Sequence, residues 1–111
     1  MKLGLILVVG LVALSASAQA AETYNCANMD GAGIYQLTLD AGTATLVVDG
    51  VAHTAVGGGQ YTFTDSFSID GKVFNTPTLS LPVDASMTET HFIAAVFDGD
   101  QGPYVSLECS R

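Results

Sequence analysis

The chain has 111 residues, 49% of them hydrophobic, with three Lys and Arg against eleven Asp and Glu and a formal charge of −8. Such acidity repels phosphate backbones and argues against a nucleic-acid partner. It favours basic proteins or metal cations as partners, or serves solubility alone.

In chain order, the first twenty residues stand apart. Lys2 is the only charge ahead of the apolar run LGLILVVGLVALSASA, and small residues, Ala18 and Ala20, flank Gln19 at its end. This is the pattern of a secretory signal peptide, with cleavage expected after Ala20. The apolar run is too short for a membrane anchor, which needs roughly 20 apolar residues. No Cys lies near the cleavage point, so no lipid anchor is expected. Residues 21–111 then form one domain. Its only basic residues are Lys72 and Arg111, against eleven acidic ones, a formal charge of −9. Secretion or residence in a periplasm follows from this reading.

Cys26 and Cys109 are the only cysteines. In an oxidising compartment such a pair forms a disulfide. The loop it would close spans most of the domain and is worth about 4 kcal/mol by chain entropy. Nothing resembling C-x-x-C is present, so a catalytic cysteine is not expected.

From residue 34 onwards apolar residues recur at every second position, in short runs broken by Gly, Asp, Asn and Pro. IYQLTL places Tyr35, Leu37 and Leu39 on one face, and Asp40-Ala41-Gly42 turns the chain. TATLVV and VAHTAV flank Asp49-Gly50, a strong hairpin signal. The glycine-rich stretch VGGGQYTFTD follows. In YTFTDSFSI, Tyr61, Phe63, Phe67 and Ile69 share a face, and strict alternation would add Asp65 to it. A lone buried carboxylate is costly, so a break or bulge is expected near Asp65. Asp70-Gly71 marks a second hairpin between SFSI and KVFN. TLSLPV ends at Pro82, the mark of an edge or a strand end. THFIAAVF and PYVSLEC complete the set, with Val105, Leu107 and Cys109 on one face. The predicted fold is all-β: an antiparallel meander of about seven to eight strands, closed into a small barrel or a compact sandwich.

Candidate chemistry is sparse. The Asp49-Gly50 turn sets Leu46 opposite His53, which places His53 on the core side. His91 shares a face with Ile93 and Ala95, and the two histidines would meet only if that face also pointed inward. No third zinc ligand is evident beside them. Asp98-Gly99-Asp100-Gln101-Gly102 resembles part of a calcium loop, but the remaining oxygen ligands and the flanking helices of an EF-hand are missing, and a polar hairpin turn is expected. Asp30-Gly31 reads the same way. There is no G-x-S-x-G and no recognisable carboxylate pair. Neither an enzyme, nor a cofactor, nor a metal site is expected.

Tyr24-Asn25-Cys26 near the start of the domain, Ala44-Thr45-Leu46-Val47-Val48-Asp49-Gly50 after a strand and a turn, and a small-residue loop running into Gly59-Gln60-Tyr61-Thr62 occur in a fixed order, with Cys109 near the end. In these features the chain resembles the membrane-bound and periplasmic inhibitors of c-type lysozyme. The resemblance covers roughly residues 24–62 and Cys109. It implies an eight-stranded antiparallel barrel and a c-type lysozyme, or another basic protein, as partner. The family's Ser-Gly-x-x-Tyr motif falls on Gly57, Gly58 and Tyr61, with Gly57 in place of the Ser. The family's Trp-x-Lys-Gly run has no counterpart, and Lys72 is the only internal lysine of the domain. The tentative partner-binding residues are Gly57, Gly58, Gly59, Gln60, Tyr61 and Lys72, acting by surface occlusion, in a monomer or weak dimer. The alternatives are an envelope domain without inhibitory activity and a carrier of a small ligand or metal.

Overall fold

A computed structural model describes residues 21–82, 90–99 and 101–111. These residues contain ten strands: β1 (Glu22–Asn28), β2 (Ile34–Asp40), β3 (Thr43–Val48), β4 (Val51–Val56), β5 (Gln60–Thr62), β6 (Phe67–Ile69), β7 (Lys72–Phe74), β8 (Thr78–Ser80), β9 (His91–Phe97) and β10 (Tyr104–Ser110). Eight of them make one antiparallel sheet in the order β4-β3-β2-β1-β10-β9-β8-β5, and β6 and β7 form a separate hairpin. The sheet curls until its two edges meet at a single bridge between Gly57 and Tyr61, giving a nearly closed barrel. The predicted all-β class, antiparallel order and barrel are all found.

The turns follow from local chemistry. Ala41-Gly42, Asp49-Gly50 and Asp70-Gly71 each carry two successive positive φ angles. That is the geometry of the type I′ turn, whose twist matches the flanking strands. The register then runs as the turns dictate, with Val48 opposite Val51 and Leu46 opposite His53.

Alternation places the core inside the barrel. Tyr35, Leu37 and Leu39 of β2, Leu46 of β3 and Val105, Leu107 and Cys109 of β10 are all buried. Tyr24, Phe63, Phe74, Leu37, Leu46 and Ile69 are the largest fully buried side chains, so the interior is filled by the protein's own groups. Rings pack edge to face, Tyr24 against Phe92 at 4.8 Å and Phe63 against Phe67 at 5.5 Å. The long run after the glycines does break near Asp65. Strand β5 stops at Thr62, β6 begins at Phe67, and Asp65 leaves the face that Phe63 and Phe67 share.

The disulfide joins Cys26 and Cys109, which sit directly opposite each other on β1 and β10 with both side chains fully buried. It therefore staples the first strand to the last, the pairing most distant in sequence, and it indicates an oxidising, non-cytoplasmic compartment. No helix among the described residues is long and apolar enough to cross a membrane.

Registers divide the barrel into two ends. One, the upper end, holds the turn at Gly42 and the glycines 57–59. The lower end holds the 29–33 loop, the Asp49-Gly50 turn and the 98–103 connection. The β6–β7 hairpin lies at the lower end and is pinned there by side chains. Asp98 accepts hydrogen bonds from the Asn75 N–H (2.8 Å), the Thr76 N–H (3.2 Å) and the Thr76 hydroxyl (3.2 Å). On the other side, Asp70 accepts from Asn28 Nδ2 (2.6 Å) and the Gly33 N–H (3.1 Å).

Reduction of Cys26–Cys109 should lower stability by about 2–5 kcal/mol, seen as a fall in Tm on the order of 10–20 °C when thermal melts with and without reductant are compared. The Asn75 and Thr76 donors hold the Asp98 carboxyl below its ordinary value. A depressed folded-state value means stability that is present above the unfolded value, near 3.9, and is lost as pH falls through the folded one. Urea denaturation of Asp98→Asn against wild type should accordingly show a difference at pH 6 that shrinks towards pH 2.

Candidate functional site

The six tentative partner-binding residues occupy two separate places. Gly57 to Tyr61 form the tight connection between β4 and β5 at the upper end. The Gly57 N–H donates to the Gly42 carbonyl at 2.9 Å, and the Leu81 N–H donates to the Gly59 carbonyl at 2.8 Å. Lys72 lies at the lower end, where its Nζ donates to the Tyr104 carbonyl at 3.1 Å. The structure does not bring Lys72 to the glycine loop.

Gly57 has a steric reason to be glycine. A Cβ at this position would lie 2.0 Å from the Gln60 carbonyl oxygen and 2.9 Å from its carbon. Both are backbone atoms of the closing turn and cannot swing aside. Gly59 has a φ of 116°, which disfavours a side chain for a different reason. Around Gly58 the space is open. Tyr61, read as a contact residue, is a core residue instead, 6% exposed. Alternation across the Gly57–Tyr61 bridge turns its ring inward, so Gly58 and Gln60 are what this loop presents to solvent.

The histidines do not meet. His53 faces the core, 8% exposed, with its ring 4.9 Å from Phe67. Its Nδ1 is buried without a hydrogen bond, 3.6 Å from Asp65 Oδ2, whose side chain is largely exposed. His91 points outward and pairs with Glu108 at 2.9 Å. Its neighbours Ile93 and Ala95 share that outer face, while Phe92, Ala94 and Val96 fill the inside.

The two acidic turns serve the fold differently. Asp98 anchors the residues after β7, as above, and Asp100 lies outside the described residues. The Asp30 N–H donates to Asn28 Oδ1 at 3.0 Å, a local side-chain turn.

One constellation had no sequence signal. Asp70, legible only as a hairpin turn, is the hub of the lower end. It reaches Asn28 and Gly33 across 42 and 37 residues of chain. Buried Tyr35 lies beside it, and its phenol is pushed up by burial and then by the Asp70 carboxylate. Gly33 allows this arrangement, because a Cβ there would sit 2.1 Å from the Tyr35 hydroxyl oxygen. Outside the hub opens a groove of about 560 Å³, lined by Asn25, Ile34, Tyr35, Val47, Asp49 and Asp70 among others.

No family model, no curated protein and no solved structure matches this chain.

Gly57→Ser, which would write the lysozyme-inhibitor motif into the loop, should destabilise the barrel by about 1–3 kcal/mol through overpacking. Gly58→Ser, into open space, should stay within roughly 0.5 kcal/mol of wild type. Urea titrations of both variants check this, and equal losses would contradict the steric account.

Proposed function

We propose that this chain is a secreted or periplasmic binding protein, a small disulfide-stapled β-barrel that acts by covering the surface of a basic partner. The observation that carries the reading is charge: eleven acidic residues against two basic ones in residues 21–111. A basic partner is steered towards such a surface and held in register on it. A rigid, filled barrel suits this role, because little conformational entropy remains to be lost on docking. A c-type lysozyme, itself basic, is the partner that the sequence resemblance suggests.

A second reading has an observation of its own. Gly57 closes the barrel and the Tyr61 ring is buried, so the glycine loop is accounted for by folding alone. This favours an envelope domain with no inhibitory activity. The carrier reading is disfavoured, because aromatic and aliphatic side chains occupy the interior.

A lysis assay separates the two. With a c-type lysozyme and the domain of residues 21–111, inhibition should appear at low ionic strength and weaken as salt screens the charges. Absence of inhibition at both low and high salt would remove a c-type lysozyme as the partner and favour the envelope-domain reading.

A further inference from the structure

We propose that the contact face is the lower end of the barrel, where the groove beside Asp49 and Asp70 takes a basic side chain of a partner protein whose neighbouring residues are apolar. This rests on the binding-protein reading and replaces the glycine loop as its site.

Four observations carry it. First, the groove is open and holds about 560 Å³, room for a basic side chain together with its neighbours. Second, Asp49 and Asp70 come from two different hairpins, and neither has a basic partner among the described residues. The ion pairs found there are His53–Asp65, His91–Glu108 and Arg111–Glu22. Third, Asp70 is oriented by neutral donors, Asn28 Nδ2 and the Gly33 N–H, so its carboxylate is positioned while its charge stays uncompensated. Lys72, the basic residue of the β6–β7 hairpin, is engaged by the Tyr104 carbonyl. Fourth, exposed apolar side chains gather at this end: Ile34 is 72% exposed and Met29 and Val51 more than half. Val73 and Tyr104, also exposed, lie at the same end. Exposed apolar residues concentrated around a polar groove mark an interaction surface.

The chemistry is specific. The stem of an arginine or lysine would lie along Ile34 and Val47, and its head would meet the two carboxylates. Apolar residues on either side of it would cover Met29 and Val51. At the upper end Gly58 and Gln60 are uncharged and Asp40 stands as one exposed carboxylate, not as one of a pair lining a groove.

The test is an amide-shift titration of the ¹⁵N-labelled domain with a five-residue peptide of alternating leucine and arginine, in parallel with its leucine–glutamate counterpart. Shifts are expected at Gly33, Ile34, Gln36, Asp49 and Gly50 with the basic peptide only. Asp49→Asn keeps the turn, since asparagine tolerates the positive φ found there, and should weaken binding up to about fivefold, the range of an exposed ion pair. Ile34→Ala should also weaken it, and Val56→Ala, at the upper end, should not. Shifts centred on Gly58 and Gln60, no saturable shifts, or full affinity in Asp49→Asn would each overturn the proposal. If lysozyme is inhibited equally by wild type and Asp49→Asn, the barrel is a binding protein whose site lies elsewhere. If the peptide binds in the groove while lysozyme is untouched, the groove stands and lysozyme is not its partner.

Discussion

Closure of the sheet at Gly57 and Tyr61 is the constraint on which the rest of this structure depends. Among the described residues seven strand pairings curl the sheet, and one bridge joins its two edges. An open edge would expose unpaired backbone groups and invite association. At the bridge the backbone folds back within four residues, and the Gln60 carbonyl lies where a side chain at 57 would have to be. The glycine is therefore a condition of closure. Once the edges meet, Tyr61 faces inward and joins Phe63 and Leu79 in the core. The inward positions of all eight strands then share one interior. The disulfide acts at the opposite side of the circle, holding β1 to β10, so the least local pairing of the sheet and the bridge between its edges are each secured by a specific chemical device.

The lower end shows how an acidic chain tolerates its charge. Asp98 and Asp70 are drawn into hydrogen bonds that fix the β6–β7 hairpin against two different loops. Both work through neutral donors, so position is gained without neutralisation. Asp98 gathers three donors, enough to hold its carboxyl down. Burial, and after it the neighbouring Asp70 carboxylate, holds the Tyr35 phenol in its neutral form to higher pH. The carboxylates that fix the hairpin thus keep their charge at this end of the protein. The fold leaves their charge available because it has almost no basic residues with which to cancel it.

Most of the fold was legible in the sequence because its signals are local. Type I′ turns need a left-handed pair, and Asp49-Gly50 and Asp70-Gly71 announce it within two residues. Alternation then fixes which face is buried, as for Leu37 and Leu107. The break at Asp65 was legible from the cost of burying its charge. What was not legible is what depends on curvature. Whether the His91 face points in or out depends on how β9 is placed in the circle, and nothing in THFIAAVF specifies it. The Tyr61 ring reads equally well as core or contact until the bridge to Gly57 settles its direction. The Asp70 hub joins residues 42 apart in the chain through one carboxylate, and an Asp-Gly turn has the same sequence with or without such partners.

The glycine loop illustrates how far a motif departs from its fold context. Replacing Gly57 by the serine of the lysozyme-inhibitor motif is not one substitution in this barrel. The added Cβ meets backbone on the far side of the turn, so the Val56–Gln60 connection would have to lengthen or rotate before any hydroxyl found a place. Either change would shift the Gly57–Tyr61 bridge and the Leu81–Gly59 hydrogen bond with it. A contact residue at this position and the observed closure are therefore competing uses of the same few atoms. In this barrel Gly57 serves closure, which leaves Gly58 and Gln60 as the exposed residues of the loop.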